Sequence, residues 1–585
     1  MCGIFAYVGK NNSAAEDVLA GLKLLEYRGY DSWGIAVKQG KKLLFEKHVG
    51  KIGNAKTILP KSSLGIGHTR WATHGGVTVA NSHPHLDCQK ELALVHNGII
   101  ENYQELKKKL LKKGHIFLSE TDTEVAVHLI EDHLKTKGFA TAVRDAFSEI
   151  KGFNAFVIAH SASNEIIAVK SGSPIVAGIG KKGLYVSSDV SGIVKHTRQV
   201  VFLEDNQMII LGETLTLIQL PSGKKITPTI QTIDWKFEDT TRGKYKHFVD
   251  KEIHEQPRVI ANLATNSHSE VQKFAQLIKK AYGTFFLGCG SAGYAGLAGT
   301  YLFSQIAKKH VNFSVGSEFS YLEDYITPQT VIIPISQSGE TIDVVDPVAK
   351  AKKKGATIAS IVNVVGSTLY RQSDYHLLLQ AGPEKAVIGT KSFTSMIAVL
   401  LLIAYALAKK QSDGEALLQR TAKNITKLFS STEEIMKVAK KIKNTNDVYI
   451  IGRGLSYAAS LEMALKLKET AYVHAEGFAG GELKHGVIAL IEKGTPCIVV
   501  APNDETYWEI ISNAQEVKAR GGYIVGIGPR NNAVFDSFLK TADAKEATII
   551  EQVIISQILA YNVALLKGLQ DPDKPRNLAK SVVVK

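Results

Sequence analysis

The stretch Phe285-Phe286-Leu287-Gly288-Cys289-Gly290 decides the fold of the second half of the chain, because it recurs as Val448-Tyr449-Ile450-Ile451-Gly452-Arg453-Gly454. Each copy is typical of an apolar strand that ends in glycine, and a helical segment and further apolar strands follow both copies. Strands that alternate with amphipathic helices predict a parallel sheet. We therefore expect two similar doubly wound parallel α/β domains, over residues 256–418 and 419–570, with ligands bound at the turns after the strands.

The first half of the chain has a different pattern. Short strands of alternating polarity are interrupted by helical stretches near residues 14–25 and 103–113, which predicts a layered α+β domain over residues 1–235. Charged and aromatic residues without clean periodicity follow, and we expect a linker over residues 236–255. Residues 571–585 form a tail whose prolines exclude a continuous helix.

The composition excludes several classes of partner. The chain has 585 residues and a formal net charge of +14, and such a basic balance can serve nucleic acids, anionic lipids or small anionic ligands. Its lysine runs lack interleaved aromatic residues, so we interpret them as solvated helix faces and expect no nucleic-acid partner. The longest apolar run, residues 396–408, is shorter than a membrane span requires, so we expect a buried helix and no membrane partner.

The cysteines predict a reducing environment. Four of them are scattered along the chain and no CxxC pair occurs, so the sequence suggests neither a zinc site nor a disulfide framework. We therefore expect no metal and no cofactor. This cysteine usage, together with the lack of a signal peptide, predicts a cytoplasmic protein.

Cys2 is a candidate nucleophile because it directly follows the initiator methionine. Removal of Met1 would place a thiol and a free α-amino group on one residue. Their unperturbed pKa values are about 8.5 and about 8, so this one residue would supply a nucleophile and its base. The alternative is a chance cysteine near an unstructured terminus.

Polar clusters downstream of Cys2 favour chemistry. They occupy residues 68–75, 81–85, 96–98 and 121–122. A thiolate that attacks an amide needs donors for the developing oxyanion, and Asn97 followed by Gly98 fits that task. Arg70 could bind an α-carboxylate and Asp122 an α-ammonium group. Taken alone, Asn97 and Gly98 are also an ordinary turn pair, and Arg70 could be a surface ion.

Together these clusters, with residues 2–4, 27–32 and 120–123, resemble the class II, N-terminal-nucleophile glutamine amidotransferases. The resemblance implies an Ntn-type αββα layered domain in which Cys2 hydrolyses glutamine through a glutamyl thioester, with Asn97 and Gly98 as the oxyanion hole. The glutamine-binding residues that it implies are Arg70, Trp71, Thr73, His74, His83 and Asp122, with Trp71 near the ammonia exit. Trp33 departs from the family, which usually has a small residue there.

The turn Ser336-Gln337-Ser338-Gly339-Glu340-Thr341 is a candidate phosphate site. It follows an apolar strand and opens a helix, where hydroxyl groups and free N–H groups bind anions. A plain helix cap is the alternative, but four clustered polar side chains exceed what a cap needs. The turn resembles that of sugar isomerase (SIS) domains, which bind phosphosugars, and the resemblance covers both repeats.

Glu462, Lys466 and Glu469 are spaced to lie on one helix face. Taken alone they predict a surface ion-pair stripe. With the phosphate turn, His485 and the tail residues 576–581, they resemble the glucosamine-6-phosphate synthase family, glutamine–fructose-6-phosphate aminotransferases of the isomerising type, from end to end.

This resemblance implies roles for residues of the second half. Glu469 would be the isomerisation base, His485 would open the sugar ring, Lys580 would hold the open ketose as a Schiff base, and Lys466 would belong to the catalytic set. The residues implied to bind the sugar phosphate are Ser291, Ser336, Gln337, Ser338, Thr341, Glu384, Val387 and Ala579. The resemblance also implies L-glutamine and fructose 6-phosphate as substrates, an internal ammonia channel, and a homodimer in which His485 reaches the partner's site.

Two departures leave alternatives open. Ala292 and Gly389 stand where the family usually has serine, so a related aminotransferase or deglycase that acts on another phosphoketose is the second hypothesis. The third is a phosphosugar-binding regulator without turnover. Intact Cys2, Glu469 and Lys580 argue against the regulator, as does the lack of a helix-turn-helix pattern.

Overall fold

The computed structural model describes residues 2–233, 241–569 and 571–582. It divides into two compact units, the first formed by Met1–Thr241 with Ala579–Lys585 and the second by Arg242–Leu578. Part of the predicted linker, residues 236–240, lies outside the described residues, as does Met1. The remainder of that linker is partly helical, because a helix begins at Phe248.

The first unit contains two antiparallel sheets and helices that cover them. Its strands and helices are β1 (Gly3–Gly9), α1 (Ala14–Leu25), β2 (Ser32–Gln39), β3 (Lys42–Val49), β4 (Leu64–Arg70), β5 (His85–Leu86), β6 (Leu92–Gly98), α2 (Tyr103–Lys112), α3 (Thr123–Leu134), α4 (Phe139–Glu149), β7 (Asn154–His160), β8 (Ile166–Ser171), β9 (Val176–Ile179), β10 (Gly183–Ser187), α5 (Val190–Ile193), β11 (Gln199–Phe202), β12 (Gln207–Leu211), β13 (Leu215–Gln219), β14 (Lys224–Ile226) and β15 (Gln231–Thr232).

These elements form four layers. One sheet has the strand order β15-β11-β9-β10-β1-β4-β2-β3 and the other β14-β13-β12-β8-β7-β6-β5. Alternate apolar residues of both sheets meet in one buried cluster, as Ile4 of β1 and Val157 of β7 illustrate. The outer faces are covered by α1 on the first sheet and by α2, α3 and α4 on the second. The predicted αββα arrangement is confirmed.

The second unit alternates strands with helices. Its elements are α6 (Phe248–Asn266), α7 (His268–Lys280), β16 (Gly283–Gly288), α8 (Ser291–Leu302), β17 (Asn312–Val315), α9 (Gly316–Phe319), β18 (Thr330–Ser336), α10 (Ile342–Lys353), β19 (Thr357–Val362), α11 (Thr368–Gln372), β20 (Tyr375–Leu378), α12 (Lys391–Leu407), α13 (Gln411–Leu428), α14 (Glu433–Ile442), β21 (Asp447–Gly452), α15 (Leu455–Ala471), β22 (His474–Ala479), β23 (Pro496–Val500), α16 (Tyr507–Lys518), β24 (Tyr523–Gly528), β25 (Ser537–Lys540) and α17 (Thr548–Leu566).

The predicted duplication is confirmed by the topology. Two parallel five-stranded sheets have equivalent orders, β17-β16-β18-β19-β20 and β22-β21-β23-β24-β25. The glycine that ends each repeated stretch adopts the same left-handed backbone, with φ of 54° at Gly290 and 52° at Gly454. Each then starts the helix that follows, α8 or α15. Because residues with a Cβ rarely adopt this conformation, the sharp strand-to-helix turn explains the recurring glycine.

The most apolar helices lie in the core of the second unit. The predicted buried helix is α12, whose residues from Lys391 to Ala406 are buried. The segment Lys545–Leu566, which includes α17, is long and apolar enough to cross a membrane, yet 83% of its most apolar window is buried within the protein. A core helix accounts for this composition, as in many large α/β domains.

The tail is divided between the two units. In the second unit, the Asp573 carboxylate accepts hydrogen bonds from the N–H groups of Phe248 and Val249, each at 2.8 Å, at the start of α6. Residues from Ala579 onward group with the first unit. The tail is non-helical over its described residues, 571–582, as predicted.

Candidate active sites

Cys2 stands at the start of the central strand β1. The backbone N–H groups of Gly3 and Ile4 donate to the hydroxyl oxygens of Thr69 and Ser188, each at 3.0 Å. These bonds fix the strand end that carries the thiol. The Trp71 N–H group donates to the Cys2 sulfur at 3.2 Å. The alternative of an unstructured terminus is therefore wrong for Cys2.

Asn97 directs an amide donor at Cys2. The His68 Nε2 atom lies 2.9 Å from the His96 carbonyl oxygen and 3.1 Å from the Asn97 side-chain oxygen, so this nitrogen carries the proton and donates. The Asn97 side-chain nitrogen therefore faces the other way and donates to the Cys2 carbonyl oxygen at 3.0 Å. Asn97 and Gly98 end strand β6, so the alternative of an ordinary turn pair is wrong.

Gly98 is required where it stands. Its φ of 139° lies in the left-handed region, and a Cβ there would come within 2.2 Å of the Phe153 carbonyl oxygen. Only glycine allows the backbone to pass this close to its neighbour. The unobstructed N–H group that the sequence predicts beside Asn97 thus has a structural cause.

Arg70 is buried and organises the loop that follows it. Its guanidinium group donates to the carbonyl oxygens of His74, Gly75 and Gly76, the last two at 3.2 and 3.1 Å. With 3% of its surface exposed, Arg70 is not the surface ion of the alternative interpretation. Asp122 accepts a hydrogen bond from the Ile100 N–H group at 2.7 Å just before α3.

One pocket of the first unit collects most of the predicted glutamine-site residues. They are Cys2, Arg70, Trp71, Thr73, His74, His83, Gly98 and Asp122. Two tail residues of the same unit, Ser581 and Val582, also line this pocket. An arginine, a carboxylate and a thiol that face one cavity suit a small amino acid with an amide side chain.

Two buried histidines beside this pocket, His68 and His83, are neutral. The rings of His68 and His83 stack with centroids 4.0 Å apart. Burial lowers the pKa of His68 to about 3 and the pKa of His83 well below its usual range. Burial also raises the pKa of the Cys2 thiol, despite the lowering effect of nearby positive charge. Neither His68 nor His83 therefore places a positive charge beside the Cys2 thiol.

The second unit holds a buried network of charges on α15. The Lys466 ammonium group lies 2.7 Å from the Glu469 carboxylate and 3.3 Å from the Glu462 carboxylate. It also donates to the Ser291 hydroxyl group at 3.2 Å, and that hydroxyl group donates to Glu462 at 3.1 Å. The side chains of Glu462 and Lys466 have no exposed surface, so the surface-stripe alternative is wrong.

Burial and neighbouring charges shift the pKa values of Glu462 and Lys466 in opposite directions. Burial raises the pKa of Glu462 to about 7, although Lys466 lowers it. Burial also disfavours the charge on Lys466, but the two carboxylates outweigh it and raise the pKa of the ammonium group. Lys466 is therefore a fixed cation that holds Glu469, whose side chain is 19% exposed, in place.

Replacing Lys466 with methionine is expected to destabilise the second unit by about 3–5 kcal/mol, because a buried carboxylate loses its cation. Glu462 would then have a pKa further above its unfolded value. The folded state would bind the extra proton, so stability would be lost as the pH rises through that folded pKa. The loss should therefore be larger near about pH 8 than near about pH 5.5.

Urea-induced unfolding at the two pH values would measure this effect. Lys468→Met is the matched control, since Lys468 lies on the same helix and is exposed. An equal and small change for both variants would contradict the buried network.

The predicted phosphate turn lies at the same sheet edge as Ser291. Strand β18 ends at Ser336 and is the parallel neighbour of β16, after which α8 begins at Ser291. The Gly339 N–H group donates to the Ser336 hydroxyl oxygen at 3.0 Å, and Thr341 directly precedes α10. Carboxyl ends of neighbouring parallel strands form one ligand-binding edge, so Ser291 links the turn to the charged network.

The other predicted sugar-site residues have varied surroundings. Buried Glu384 accepts hydrogen bonds from the N–H groups of Thr390 and Ser392, each at 3.0 Å, and so shapes the start of α12. The Val387 N–H group donates to the Asp573 carbonyl oxygen at 2.9 Å. His485 is exposed.

The tail residues Ala579 and Lys580 group with the first unit rather than with the charged network of the second. Their sugar-site roles therefore stay predictions.

Comparison with known proteins agrees with both sites. A family model described as a glutamine amidotransferase domain matches residues 68–195, and one described as a SIS domain matches residues 277–406 and 441–566. A glutamine–fructose-6-phosphate aminotransferase (isomerizing) from Pyrococcus horikoshii is 41% identical over the full length of both chains. The chain belongs to the isomerising glutamine–fructose-6-phosphate aminotransferase family.

Further aminotransferases of this family match equally well along the chain. The one from Thermococcus kodakarensis is 40% identical, again over the full length of both chains. A solved structure, the C-terminal domain of a glucosamine–fructose-6-phosphate aminotransferase from Francisella tularensis, is 32% identical with a TM-score of 0.53. It covers 56% of this chain, and 98% of that domain is matched.

Sequence reasoning missed the residues that position Cys2, the predicted nucleophile. Thr69 and Ser188 bind the strand end beside Cys2, and His68 orients Asn97. Asp31 accepts a hydrogen bond from the Ala72 N–H group at 2.8 Å and so supports the loop after Arg70. His68, Thr69 and Asp31 lie within stretches that the sequence already singled out, but residue type alone does not reveal a supporting role.

The departures from the usual aminotransferase residues fit the structure. Trp33 is buried and stacks on His48 with ring centroids 4.3 Å apart, within the core under α1. A Cβ at Gly389 would find its nearest neighbours at ordinary distances, 3.5 Å from the Ser392 hydroxyl oxygen and 3.8 Å from that of Ser291. Position 389 is thus an open space beside Ser291.

Proposed function

We propose that this chain performs the reaction of its family at two separate sites, one in each unit. The reaction converts D-fructose 6-phosphate and L-glutamine to D-glucosamine 6-phosphate and L-glutamate. The observation that carries this conclusion is the 41% identity to an aminotransferase of this name over the full length of both chains. Both sites lie within the matched length, so the chain is an enzyme with two coupled activities.

The first unit is proposed to release ammonia from glutamine. Arg70 would bind the α-carboxylate and Asp122 the α-ammonium group, which leaves the amide carbon beside the Cys2 sulfur. The thiolate adds to that carbon, and Asn97 and the Gly98 N–H group donate to the oxyanion. Ammonia then leaves as the C–N bond breaks, and water hydrolyses the glutamyl thioester to glutamate.

The second unit is proposed to accept that ammonia on the ketose. The turn from Ser336 to Thr341 would bind the phosphate group. Ammonia adds at C2 with loss of water and gives an imine. Glu469 then removes a proton from C1 and a proton is returned at C2, while the C1 hydroxyl group loses its proton and the nitrogen gains one, so that C1 becomes the aldehyde carbon of the amino sugar. Lys466 keeps the Glu469 carboxylate in position for this transfer.

A product assay tests the proposal. The purified chain is incubated with L-glutamine and fructose 6-phosphate, and sugar products are identified by mass spectrometry. Glucosamine 6-phosphate and glutamate in equal amounts are the expected result. Glutamine hydrolysis without this amino sugar would favour the alternative of a related aminotransferase or deglycase that acts on another phosphoketose. The open space at Gly389, where the family usually has serine, is the reason to test that alternative. Other phosphoketoses would then be tested as acceptors.

Several proposals follow from the family. Lys580 is proposed to hold the open ketose as a Schiff base, and His485 to assist ring opening. The exposure of His485 supports its proposed reach into the partner's site of a homodimer. Borohydride trapping tests the Schiff base, and loss of trapping in Lys580→Met is the expected result.

A cytoplasmic location also stays a prediction.

A further inference from the structure

Four side chains of types that ligate metals converge in the first unit. None of them lines the predicted glutamine pocket. Cys88 lies in the turn after β5, His115 follows α2, and His128 and Glu131 are one turn apart on α3. One ligand atom from each residue lies within 4.8 Å of all the others. Neither histidine side chain has more than 3% of its surface exposed. Both histidines are thus buried, while Cys88 and Glu131 are partly buried.

The distances from the Cys88 sulfur to the two histidines match those of a tetrahedral metal site. The Cys88 sulfur lies 3.8 Å from the His115 Nδ1 atom and 3.7 Å from the His128 Nδ1 atom. Zinc bonds to sulfur and nitrogen place such atoms about 3.6 Å apart around a tetrahedral ion. The two Nδ1 atoms lie 2.9 and 2.8 Å from the Glu131 Oε2 atom, so an ion would widen these contacts by about 0.4 Å.

The opposite nitrogens of both histidines face carboxylates. The His115 Nε2 atom lies 3.7 Å from an Asp132 oxygen, and the His128 Nε2 atom lies 3.8 Å from a Glu124 oxygen. Among the described residues neither Nε2 atom has a hydrogen-bond partner. Histidines that ligate a metal usually present their other N–H group to a carboxylate in this way.

The carboxylates around the two histidines favour added positive charge in the cluster, which a metal ion or a second proton on each imidazole would supply. If neutral histidines donated from Nδ1 to Glu131, each Nε2 atom would be an acceptor facing another acceptor, a repulsive arrangement. A metal on the Nδ1 atoms instead leaves the Nε2 protons to face Glu124 and Asp132. The Ile116 N–H group also lies 3.5 Å from the Cys88 sulfur, a donor suited to a bound thiolate.

We propose that Cys88, His115, His128 and Glu131 bind one zinc ion. A thiolate, two imidazoles and a carboxylate in a tetrahedron are ligands that suit Zn²⁺, and four protein ligands with no open position make a structural site. The expectation of no metal rested on the absence of paired cysteines. Here the ligands come from separate segments, and only folding brings them together.

The site would stabilise the glutamine pocket through α3. This helix carries His128 and Glu131, and Asp122 stands directly before its first residue. Zinc would join α3 to the turn at Cys88 and to the segment at His115. Loss of the ion should therefore loosen the pocket wall that Asp122 provides, while the second unit is unaffected.

Metal analysis of the full-length chain, purified without a histidine tag, tests the proposal. We expect about one zinc ion per chain after saturation and dialysis. Cobalt(II) that replaces zinc should show the visible bands of a tetrahedral site and a thiolate charge-transfer band. Cys88→Ser should remove the charge-transfer band, and His128→Gln should weaken zinc binding by more than about 100-fold.

Control variants distinguish zinc binding at this site from zinc binding by other histidines and cysteines of the chain. His133→Gln lies on the same helix outside the cluster, and Cys497→Ala removes a cysteine of the second unit. Both should keep the full zinc content. Zinc-free chain that stays folded, judged by circular dichroism, should regain a higher unfolding temperature when zinc is added. The proposal is overturned if the chain takes up no zinc, or if Cys88→Ser and His128→Gln bind zinc and cobalt as the unaltered chain does.

Discussion

Replacing Cys2 with alanine is expected to abolish glutamine-dependent synthesis of glucosamine 6-phosphate while free ammonia still supports it. The loss with glutamine should be at least about 10³-fold, because no other group can form the thioester. Synthesis from ammonium salts should stay within about twofold of the unaltered enzyme, since the second unit holds its own charged network. Both rates are measured by quantifying the amino sugar.

The ammonia-driven rate serves as the internal control for folding. Cys2 directly precedes β1, and the neighbouring bonds from Gly3 to Thr69 and from Ile4 to Ser188 do not involve its side chain. The variant should therefore keep the circular dichroism of the unaltered enzyme. If ammonia-driven synthesis also disappeared in a folded variant, the assignment of the two half-reactions to separate sites would be wrong.

The pH dependence of the glutamine reaction should follow the α-amino group. Burial raises the pKa of the thiol, and the buried histidines nearby are neutral. The activating base is thus proposed to be the amine of Cys2 after removal of Met1, and mass spectrometry of the intact chain would show whether that removal occurs. An amine is a base only when it is unprotonated, so turnover should rise with pH through its pKa.

The repeat in the second half was predictable because its signal is local. The strand, the glycine turn and the helix are adjacent in sequence, so Gly290 and Gly454 reveal two equivalent turns without any knowledge of long-range contacts. The same holds for the alternating strands of the first unit. The boundary of the linker was less predictable, because α6 packs against α12 and α13 and owes its stability to those contacts rather than to a clean pattern.

Burial of the charged network could not be predicted from spacing. Residues spaced as Glu462, Lys466 and Glu469 share one helix face whether that face meets water or the core. Here α15 packs against α8, α17 and β22, and this surrounding structure removes Glu462 and Lys466 from solvent. Spacing in the sequence shows which residues share a helix face, but only tertiary packing determines what that face contacts.

The proposed zinc-ligand cluster could not be predicted from residue spacing either. Cys88 and His115 have no spacing that any zinc motif requires, and their convergence depends on how two segments pack on α3. His128 and Glu131 are close on the helix, yet such a pair is common on helix surfaces. Residues that act together from distant segments leave no local signal, whereas residues 68–75 form one polar cluster that the sequence shows directly.

Replacing Glu469 with glutamine is expected to lower synthesis of the amino sugar by about 10²–10⁴-fold, with glutamine and with ammonia alike. The glutamine side chain at position 469 has the shape of glutamate but cannot accept the C1 proton. The exchange of that proton with solvent deuterium should be lost in parallel, which mass spectrometry of the recovered ketose phosphate measures. Glutamine hydrolysis in the first unit should continue, because its proposed residues are unchanged.

A purely structural role for Glu469 makes a different prediction. Its carboxylate contacts Lys466 at 2.7 Å, so its loss could act by releasing that lysine. In that case the unfolding midpoint would fall with the activity, and deuterium exchange at C1 would persist at the occupied sites. Glu476→Gln, an exposed position on β22, should change neither. Because Lys466 still has Glu462 at 3.3 Å, we expect the variant to stay folded and to lose only the proton transfer.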